Sequence, residues 1–269
     1  IQARIMHPMV QFALRAARSA AEQFVRARDR IEVARGDRQL DQLLEDTARN
    51  AETLIATQFR RSYPQHGISG RYTPHRDGEG EGADFHWRIE PFHGYSNLAV
   101  ASPSFAISLV CLVKGRPEHA VIVCPFTDDE YLASRGRGAQ LNGRRIRVPS
   151  HINVEGARVA VGLPETWLRT RHLPVYLTLT QALGPQVESF LSTGSGLLDL
   201  AQLAAGRVDT AFVLGLEEQD QLVGSLLLKE AGALMGGLDG SPTVGPEQNL
   251  MAATPRLYKN LVQQLKTRV

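Results

Sequence analysis

The sequence has few cysteines and no long apolar run. The first absence argues against a disulfide-stabilised protein and the second against a membrane-spanning one. Only Cys111 and Cys124 occur in 269 residues, too few for a disulfide scaffold and without zinc-site spacing. Both stand in apolar, strand-like runs, where a buried free thiol is the expectation. No apolar run approaches the roughly 20 residues that span a bilayer, and the start lacks a signal-peptide pattern. We therefore expect a cytoplasmic protein without a membrane partner.

Net charge is also low, because the formal value is only +2 and the sequence pI is about 8.7. That balance gives no overall electrostatic case for nucleic-acid binding. Lysine is scarce, so arginine supplies most of the positive charge. Several arginines lie in the first predicted helix, where a solvated face is the favoured interpretation and a face for nucleic acid or an acidic partner is the alternative: Arg15, Arg18, Arg26, Arg28 and Arg30.

What is present is a 43% hydrophobic composition, enough to bury a substantial core. Apolar residues at helical spacing predict helices over 10–25 and 40–59, whereas 73–84 has no period and predicts a loop. Short apolar runs then predict strands at 85–89, 105–113, 120–124 and 130–134, with a hairpin turn at 114–117. Glycine-rich turns follow as far as about residue 143.

The second half alternates predicted strands (158–162 and 210–214) with predicted helices (177–183, 196–205 and 221–231). This alternation with short connections favours a layered α/β (α+β) architecture. We expect an N-terminal half over 1–150 and a C-terminal half over 151–269, forming one integrated fold. The sequence contains no internal repeat and no low-complexity tract.

Residues 87–97 read W-R-I-E-P-F-H-G-Y-S-N and resemble the W-x-I-D-P-[LI]-D-G-T-T-N signature of the inositol monophosphatase family. Further landmarks follow in order at 135–139, 141–143, 193–195, 204–209 and 230–232, most similar to the family's bacterial SuhB branch. The resemblance covers the chain from Met6, and the residues before it, whether upstream or added sequence, are assigned no function. It implies an inositol monophosphatase-like α-β-α-β-α sandwich and commonly a homodimer.

The resemblance also implies a mechanism in which carboxylates hold Mg²⁺ ions that polarise a phosphate ester and activate water. Several positions that carry this chemistry are changed here. The family's metal positions fall on Arg71, Glu90, Phe92, His93 and Asp220. Its water-activating positions fall on Arg71 and Tyr95, its phosphate-binding turn on Gly94, Tyr95 and Ser96, and a substrate-contacting acid on Val213. In the preceding helix, D-x-x-T-x-x-D falls on Gln42, Glu45 and Ala48.

Charge at five of these positions sums to about −1, whereas the family pattern carries about −5. The five are Ala48, Arg71, Glu90, His93 and Asp220. An arginine cannot ligate a cation, so we expect no cofactor and no intact catalytic residue. Our hypothesis is that the Arg71 guanidinium replaces the missing cation by pairing with Glu90 or Asp220.

Weaker signals have competing interpretations. Glu90, His93 and Asp220 could form a Mn²⁺ or Zn²⁺ site, although a structural remnant is favoured. Ser195 fits a helix-start turn better than a nucleophile. His66, His75, His86 and His119 lack obvious partners and are expected at the surface.

Three functions follow. The first is a catalytically impaired pseudoenzyme that binds a macromolecular partner; the resemblance implies SuhB-like ribosomal RNA transcription antitermination, with a Nus factor, RNA polymerase or RNA as partner. Against that branch, Leu191 and Ser192 stand where it has an arginine pair. The second is a Mg²⁺-dependent phosphatase for inositol monophosphate or a similar small ester. The third is an anion or small-molecule sensor that uses the old pocket.

Overall fold

The computed structural model describes residues 6–163 and 166–265. The chain divides into two compact units, Ile1–Arg144 and Arg145–Val269. Each unit combines helices with one main sheet, so the predicted mixed α/β class is confirmed. That the two halves form one integrated fold stays a prediction.

Two long helices of the first unit pack on a sheet whose seven strands follow chain order, and the last strand, β7, begins at the residue where this unit ends. Helix α1 begins at Pro8, whose missing N–H costs nothing there, and His7 caps it by accepting from the Met9 amide. The α1 and α2 helices pack on each other, and α2 also contacts β2. The elements are α1 (Pro8–Val33), α2 (Leu40–Ser62), β1 (Gly67–Gly70), β2 (Phe85–His93), α3 (Tyr95–Leu98), β3 (Ala106–Val113), β4 (Arg116–Cys124), β5 (Asp129–Ser134), β6 (Gly138–Leu141) and β7 (Arg144–Ile146).

Tight turns set the register of this sheet. Strand β1 runs parallel to β2, and β2 to β6 pair antiparallel. Lys114 and Gly115 both have positive φ, 51° and 74°, as a two-residue hairpin turn requires, so the predicted turn is confirmed. Asn142 and Gly143 form an equivalent turn between β6 and β7 with φ of 50° and 74°.

The second unit builds a five-stranded sheet in the order β11-β12-β10-β8-β9. Strands β8, β9 and β10 are parallel, and β12 runs antiparallel to its two neighbours. Helix α5 packs against α6, β8 and β10. The elements are β8 (Arg158–Val161), α4 (Arg169–Leu183), β9 (Ser189–Leu191), α5 (Gly196–Ala204), β10 (Thr210–Val213), α6 (Glu218–Ala231), β11 (Leu234–Gly237), β12 (Leu250–Ala253) and α7 (Pro255–Leu265).

The cysteine prediction is confirmed, because Cys111 and Cys124 are both buried and free. The histidine prediction is wrong at His119, which is buried on β4 and lies 3.0 Å from the Ser134 hydroxyl. Burial is the main cause that lowers the pKa of His119 to about 4. The strand pairs His119 directly with Ser134, so the partner comes from the neighbouring strand and could not be found from local sequence.

The other three histidines also have partners. His86 lies 2.7 Å from the Ser69 hydroxyl and stacks on His75. His66 accepts a hydrogen bond from the Trp87 indole at 3.2 Å. Of the three, only His75 is exposed, and it lies 2.9 Å from the Asp77 carboxylate.

Candidate functional site

In the first unit, the candidate site forms where β2 ends. Pairing with β3 places Glu90 opposite Ser108 and His93 opposite Ala106, with a bulge between them. Such a bulge changes the direction of the side chains that follow. Gly94 then takes φ 85° and ψ 51°, a left-handed conformation that glycine adopts without strain, and α3 begins directly after it. The chain therefore turns sharply at Gly94, directly after the last residue of β2.

Arg71 and Glu90 form a bidentate ion pair. Arg71 Nε lies 3.1 Å from Glu90 Oε1, and Nη2 lies 3.4 Å from Oε2. The Phe92 amide also donates to Oε1 at 3.0 Å, and the guanidinium lies 5.5 Å from the centre of the Phe92 ring. The predicted pairing of Arg71 is therefore confirmed for Glu90. The Arg71 side chain is 47% exposed, so its contribution to folding stability is about 1 kcal/mol or less.

Glu52 holds the turn that follows Arg71 and was missed by the sequence analysis. It is 0% exposed on α2, and its Oε1 accepts from the Tyr72 amide at 2.9 Å. A Cβ at Gly70 would meet that oxygen at 2.4 Å, so only glycine lets the carboxylate approach the turn. Burial raises the pKa of Glu52, while hydrogen bonds from Thr73 and Tyr72 oppose the shift. The sequence signal that could have identified Glu52 is an acidic residue among the apolar positions on the buried face of α2.

His93 makes its contact within the sheet. Its Nε2 lies 2.8 Å from the Ser108 hydroxyl on β3, and the residue is 4% exposed. Either ring nitrogen could carry the proton, because the hydroxyl can donate or accept. Buried polar groups are normally hydrogen-bonded. This link between two neighbouring strands therefore explains the buried pair without a functional role.

Tyr95 connects the turn to the start of α2. Its hydroxyl donates to Asp41 Oδ1 at 2.5 Å, and its ring meets Phe92 edge-on at 5.4 Å. Burial, followed by the hydrogen bond to Asp41, raises the pKa of Tyr95 well above its usual range. Asp41 was also missed, since 54 residues separate it from Tyr95. The neighbouring Ser96 is exposed.

These contacts decide whether the first unit fits a Mg²⁺ ion. Mg²⁺ needs a near-octahedral set of oxygen donors at roughly 2.1 Å. Here Glu90 uses both oxygens on Arg71, His93 offers nitrogen, and Ala48 is a fully buried methyl group without a donor. Within residues 6–163 and 166–265, no group of three or more His, Cys, Asp or Glu could hold a metal ion. The residues of this unit therefore do not fit a Mg²⁺ ion.

In the second unit, two carboxylates lie in first helical turns. Asp199 belongs to α5 and Asp220 to α6, and they are 2% and 7% exposed. Asp199 Oδ1 accepts from the Thr193 amide at 2.9 Å and from its hydroxyl at 2.8 Å. Ser195 is the N-cap of α5 and accepts from the Leu198 amide, which confirms the predicted helix-start role. Burial, with a further contribution from Asp220, raises the pKa of Asp199 to about 6.

A cavity of about 70 Å³ lies beside these carboxylates, with Val213, Asp199 and Asp220 in its lining. Glycine makes room for it, because a Cβ at Gly196 would meet Val213 Cγ1 at 2.7 Å and Asp220 Oδ2 at 3.2 Å. A cavity of this size is large enough to hold water. Where the family pattern has an acidic residue, Val213 places methyl groups in the wall of the cavity. These methyl groups cannot form a hydrogen bond with a hydroxylated ligand.

Within the first unit, Arg71, Glu90 and Phe92 are in mutual contact, whereas His93 and Tyr95 are held by Ser108 and Asp41.

Among the helices of residues 6–163 and 166–265, none is both long and apolar enough to cross a bilayer.

Comparison with known proteins defines the class. The Inositol monophosphatase family matches residues 5–269, and the chain belongs to that family. Among solved structures, the extragenic suppressor protein suhB from Bartonella henselae has a TM-score of 0.84 at 25% identity, covering 98% of this chain and 100% of that one. Inositol monophosphatase from Anabaena has a TM-score of 0.79 at 25% identity, covering 97% and 96%. The predicted inositol monophosphatase-like fold is therefore confirmed.

Curated relatives narrow the comparison to one branch. The chain is 38% identical over 262 residues to the Nus factor SuhB of Pseudomonas aeruginosa, with 97% of each chain covered. It is 33% identical over 264 residues to the Nus factor SuhB of Escherichia coli, again with 97% of each covered. The predicted kinship with the SuhB branch is confirmed.

Proposed function

We propose that this protein is a catalytically impaired member of the family that acts by binding a macromolecular partner, in a SuhB-like role in ribosomal RNA transcription antitermination. One observation carries the loss of catalysis, the bidentate pair of Arg71 with Glu90. In the family pattern both positions carry carboxylates that hold metal. Here one of them is a permanent cation that neutralises the other.

Electrostatics supports the proposal that no metal binds at the Arg71–Glu90 pair. A divalent cation about 4 Å from the guanidinium meets a repulsion of about 8 kcal/mol at an effective dielectric constant of 20, before solvent screening of the half-exposed arginine. It would also have to displace the two hydrogen bonds from Arg71 and the one from the Phe92 amide. A Mg²⁺ ion that already dehydrates reluctantly gains too little from a single remaining carboxylate.

The binding role is supported by the relatives named Nus factor SuhB, which align with 97% of the chain. We infer a cytoplasmic protein whose partner is a Nus factor, RNA polymerase or RNA, and which forms a homodimer. The departure at Leu191 and Ser192, on and beside the exposed edge strand β9, means that any contact made there by an arginine pair in the branch is absent. Partner affinity must then come from other surfaces.

A Mg²⁺-dependent phosphatase is the second candidate, and the buried carboxylates Asp199 and Asp220 beside a small cavity favour it. In the second unit, Asp199 and Asp220 are positions of the family pattern that are still acidic. An anion sensor built on Gly94, Tyr95 and Ser96 is the third candidate.

One set of assays separates the three. Purified protein is incubated with inositol monophosphate and Mg²⁺, with and without EDTA, and the same sample is tested for capture of purified Nus factors and RNA polymerase. The proposal expects capture without turnover, and expects capture to survive Asp220→Ala. Turnover that EDTA abolishes would support the phosphatase instead. Thermal stabilisation by inorganic phosphate without turnover or capture would support the sensor.

A further inference from the structure

A groove lies between α1 and α2 of the first unit, lined by other side chains than those of the candidate site. Its volume is about 770 Å³, within the range of sites that take ligands. One wall is the end of α1 with the connection that follows it, and the other is the first three turns of α2. We call it the helix groove and define it by Asp29, Val33, Asp37, Leu43 and Asp46.

The shape of the groove follows from helical spacing. On α2 the lining positions are 39, 42, 43, 46, 47 and 50, which recur every three or four residues and therefore form one continuous stripe. At about 1.5 Å rise per residue this stripe is about 17 Å long. On α1 the positions 29, 30, 33 and 34 form the facing stripe. Two facing walls of this length accommodate one further helix of about three turns, packed at the usual distance of about 8–10 Å between helix axes.

The groove also exposes apolar surface. Val33 is 87% exposed, the highest value among the large hydrophobic side chains of the described residues. Leu43 is only partly buried against the core, and the Thr47 hydroxyl already donates to the Leu43 carbonyl at 2.7 Å. A side chain as exposed as Val33 contributes almost nothing to folding, but it contributes to binding once a partner covers it.

The charge of the groove is negative. Three carboxylates (Asp29, Asp37 and Asp46) and one guanidinium (Arg30) line it, which leaves a net charge of −2. Among the residues that the structure describes, none of the three carboxylates forms an ion pair. Asp46 accepts from the side-chain amide four residues earlier at 2.8 Å, and Asp37 from the backbone amide two residues later at 2.9 Å. Both donors are neutral, so the negative charge stays available to a cationic partner.

This charge selects among the possible occupants. A nucleic-acid backbone or an anionic lipid surface is repelled by it. A second copy of the chain on a two-fold axis brings the same carboxylates against each other, and like charges that face one another across an interface oppose binding. The remaining class is a cationic protein segment, and the two helical walls specify its shape.

We propose that the helix groove binds a basic amphipathic helix of a partner protein, about three turns long, with apolar side chains on one stripe and lysine or arginine on both flanks. The apolar stripe covers Val33 and Leu43. The flanking cations pair with Asp29 on one wall and with Asp46 on the other. This inference rests on the proposed function only in that the partner is a macromolecule, and it assigns the face and the chemistry of one contact.

The probe is a fluorescein-labelled peptide of about 14 residues, two heptads with leucine at a and d, lysine beside these positions and alanine elsewhere. A second peptide carries glutamate in place of every lysine. Fluorescence anisotropy measures the affinity of the full chain for each peptide at about 0.1 M salt, where charges interact over about 10 Å.

The charge test is Asp29→Asn with Asp46→Asn, and Asp37 is left intact because its carboxylate holds the connection between the two helices. An exposed ion pair changes an equilibrium constant by up to about five-fold, so removing two should weaken binding of the lysine peptide by about 5- to 25-fold. At about 1 M salt, where the Debye length is about 3 Å, parent and variant should bind alike. The matched control is Glu79→Gln with Glu81→Gln, two exposed acids outside the groove, which removes the same charge and should change the affinity by less than about two-fold.

The apolar test is Val33→Ala, with Val25→Ala as its matched control. Both valines are exposed on α1, but only Val33 lines the groove. Burying two fewer methyl groups weakens an affinity by about 15-fold, whereas the control should leave it unchanged. Thermal melting should show both variants folded, because both side chains are at the surface.

The inference predicts that the lysine peptide binds, that the glutamate peptide does not, and that the groove variants lose affinity while the controls keep it. Equal losses for groove and control variants, equal affinity for the two peptides, or no binding by the parent would overturn it. Two other occupants would also overturn it: single-stranded RNA whose binding Val33→Ala weakens, or a dimer that Val33→Ala dissociates in sedimentation. The peptide assay involves neither turnover nor Nus factor capture, so its failure leaves the proposed function intact. Failed capture beside a positive peptide result would refute the proposed function alone.

Discussion

Asp199 should make the protein less stable as the pH rises through the weakly acidic range. Burial raises its pKa from 3.8 to about 6, so between these values the unfolded chain ionises while the folded protein keeps its proton. The free energy of unfolding then falls by about 1.4 kcal/mol per pH unit. The loss is complete above pH 6 and amounts to about 3 kcal/mol. Below pH 3.8 both states are protonated and Asp199 contributes no pH dependence.

The perturbation is Asp199→Asn. Both hydrogen bonds from Thr193 end on Oδ1, so the amide oxygen can keep them while the charge is removed. Urea unfolding followed by circular dichroism, at a series of pH values from 3.5 to 7.5, gives the free energy of unfolding for each protein. Between these limits the parent should lose about 3 kcal/mol relative to the variant.

The control is Glu32→Gln, which neutralises an exposed carboxylate at the end of α1 and should leave the parent's pH dependence unchanged. Parallel curves for the parent and Asp199→Asn would refute the reasoning, because they would mean that the buried carboxylate ionises at its ordinary pKa. A variant that loses stability more steeply than the parent as the pH rises would refute its sign.

Two further substitutions test the first unit. Glu52→Ala leaves the Tyr72 amide without its acceptor and should lower the free energy of unfolding by about 1–3 kcal/mol, measured by urea unfolding; an unchanged value would contradict the supporting role of Glu52. Tyr95→Phe removes the hydrogen bond to Asp41 and should cost about 1 kcal/mol, because the site is partly exposed. Its check is increased hydrogen exchange at the start of α2, and unchanged exchange there would argue that this contact does not hold the helix.

The sequence predicted those elements that have a strong period or a distinctive turn. Helix α2 begins at Leu40 as its apolar spacing indicated, and the hairpin turn predicted at 114–117 has Lys114 and Gly115 as its two turn residues. Helix α4 was predicted only from residue 177, yet it begins at Arg169. Its first turns have little amphipathic pattern, and Pro174 within it normally argues against a helix.

Short strands were harder to predict. Strand β1 (Gly67–Gly70) is bounded by glycines, and β6 lies in a segment whose glycines predict turns. Their hydrogen-bond partners come from other parts of the chain. Strand formation here depends on tertiary pairing rather than on local propensity.

At the candidate site, charge arithmetic predicted a pair that the structure contains. The family resemblance placed Arg71 at one site with the carboxylates Glu90 and Asp220, and neutralisation predicted that Arg71 pairs with one of them. The structure contains the pair with Glu90. The contacts of Tyr95 with Asp41 and of Glu52 with the turn at Tyr72 could not, because the partners lie 54 and 20 residues apart. No local pattern encodes which distant backbone amide a buried acid will meet.

The most direct test of the central claim, that the Arg71 guanidinium stands in place of a metal ion, is calorimetric titration of the purified protein with Mg²⁺. The paired carboxylate of Glu90 and the nitrogen of His93 predict no saturable heat at millimolar Mg²⁺. Saturable binding that is lost in Glu90→Gln would contradict the claim, because it would show that the carboxylate leaves the arginine to hold the metal.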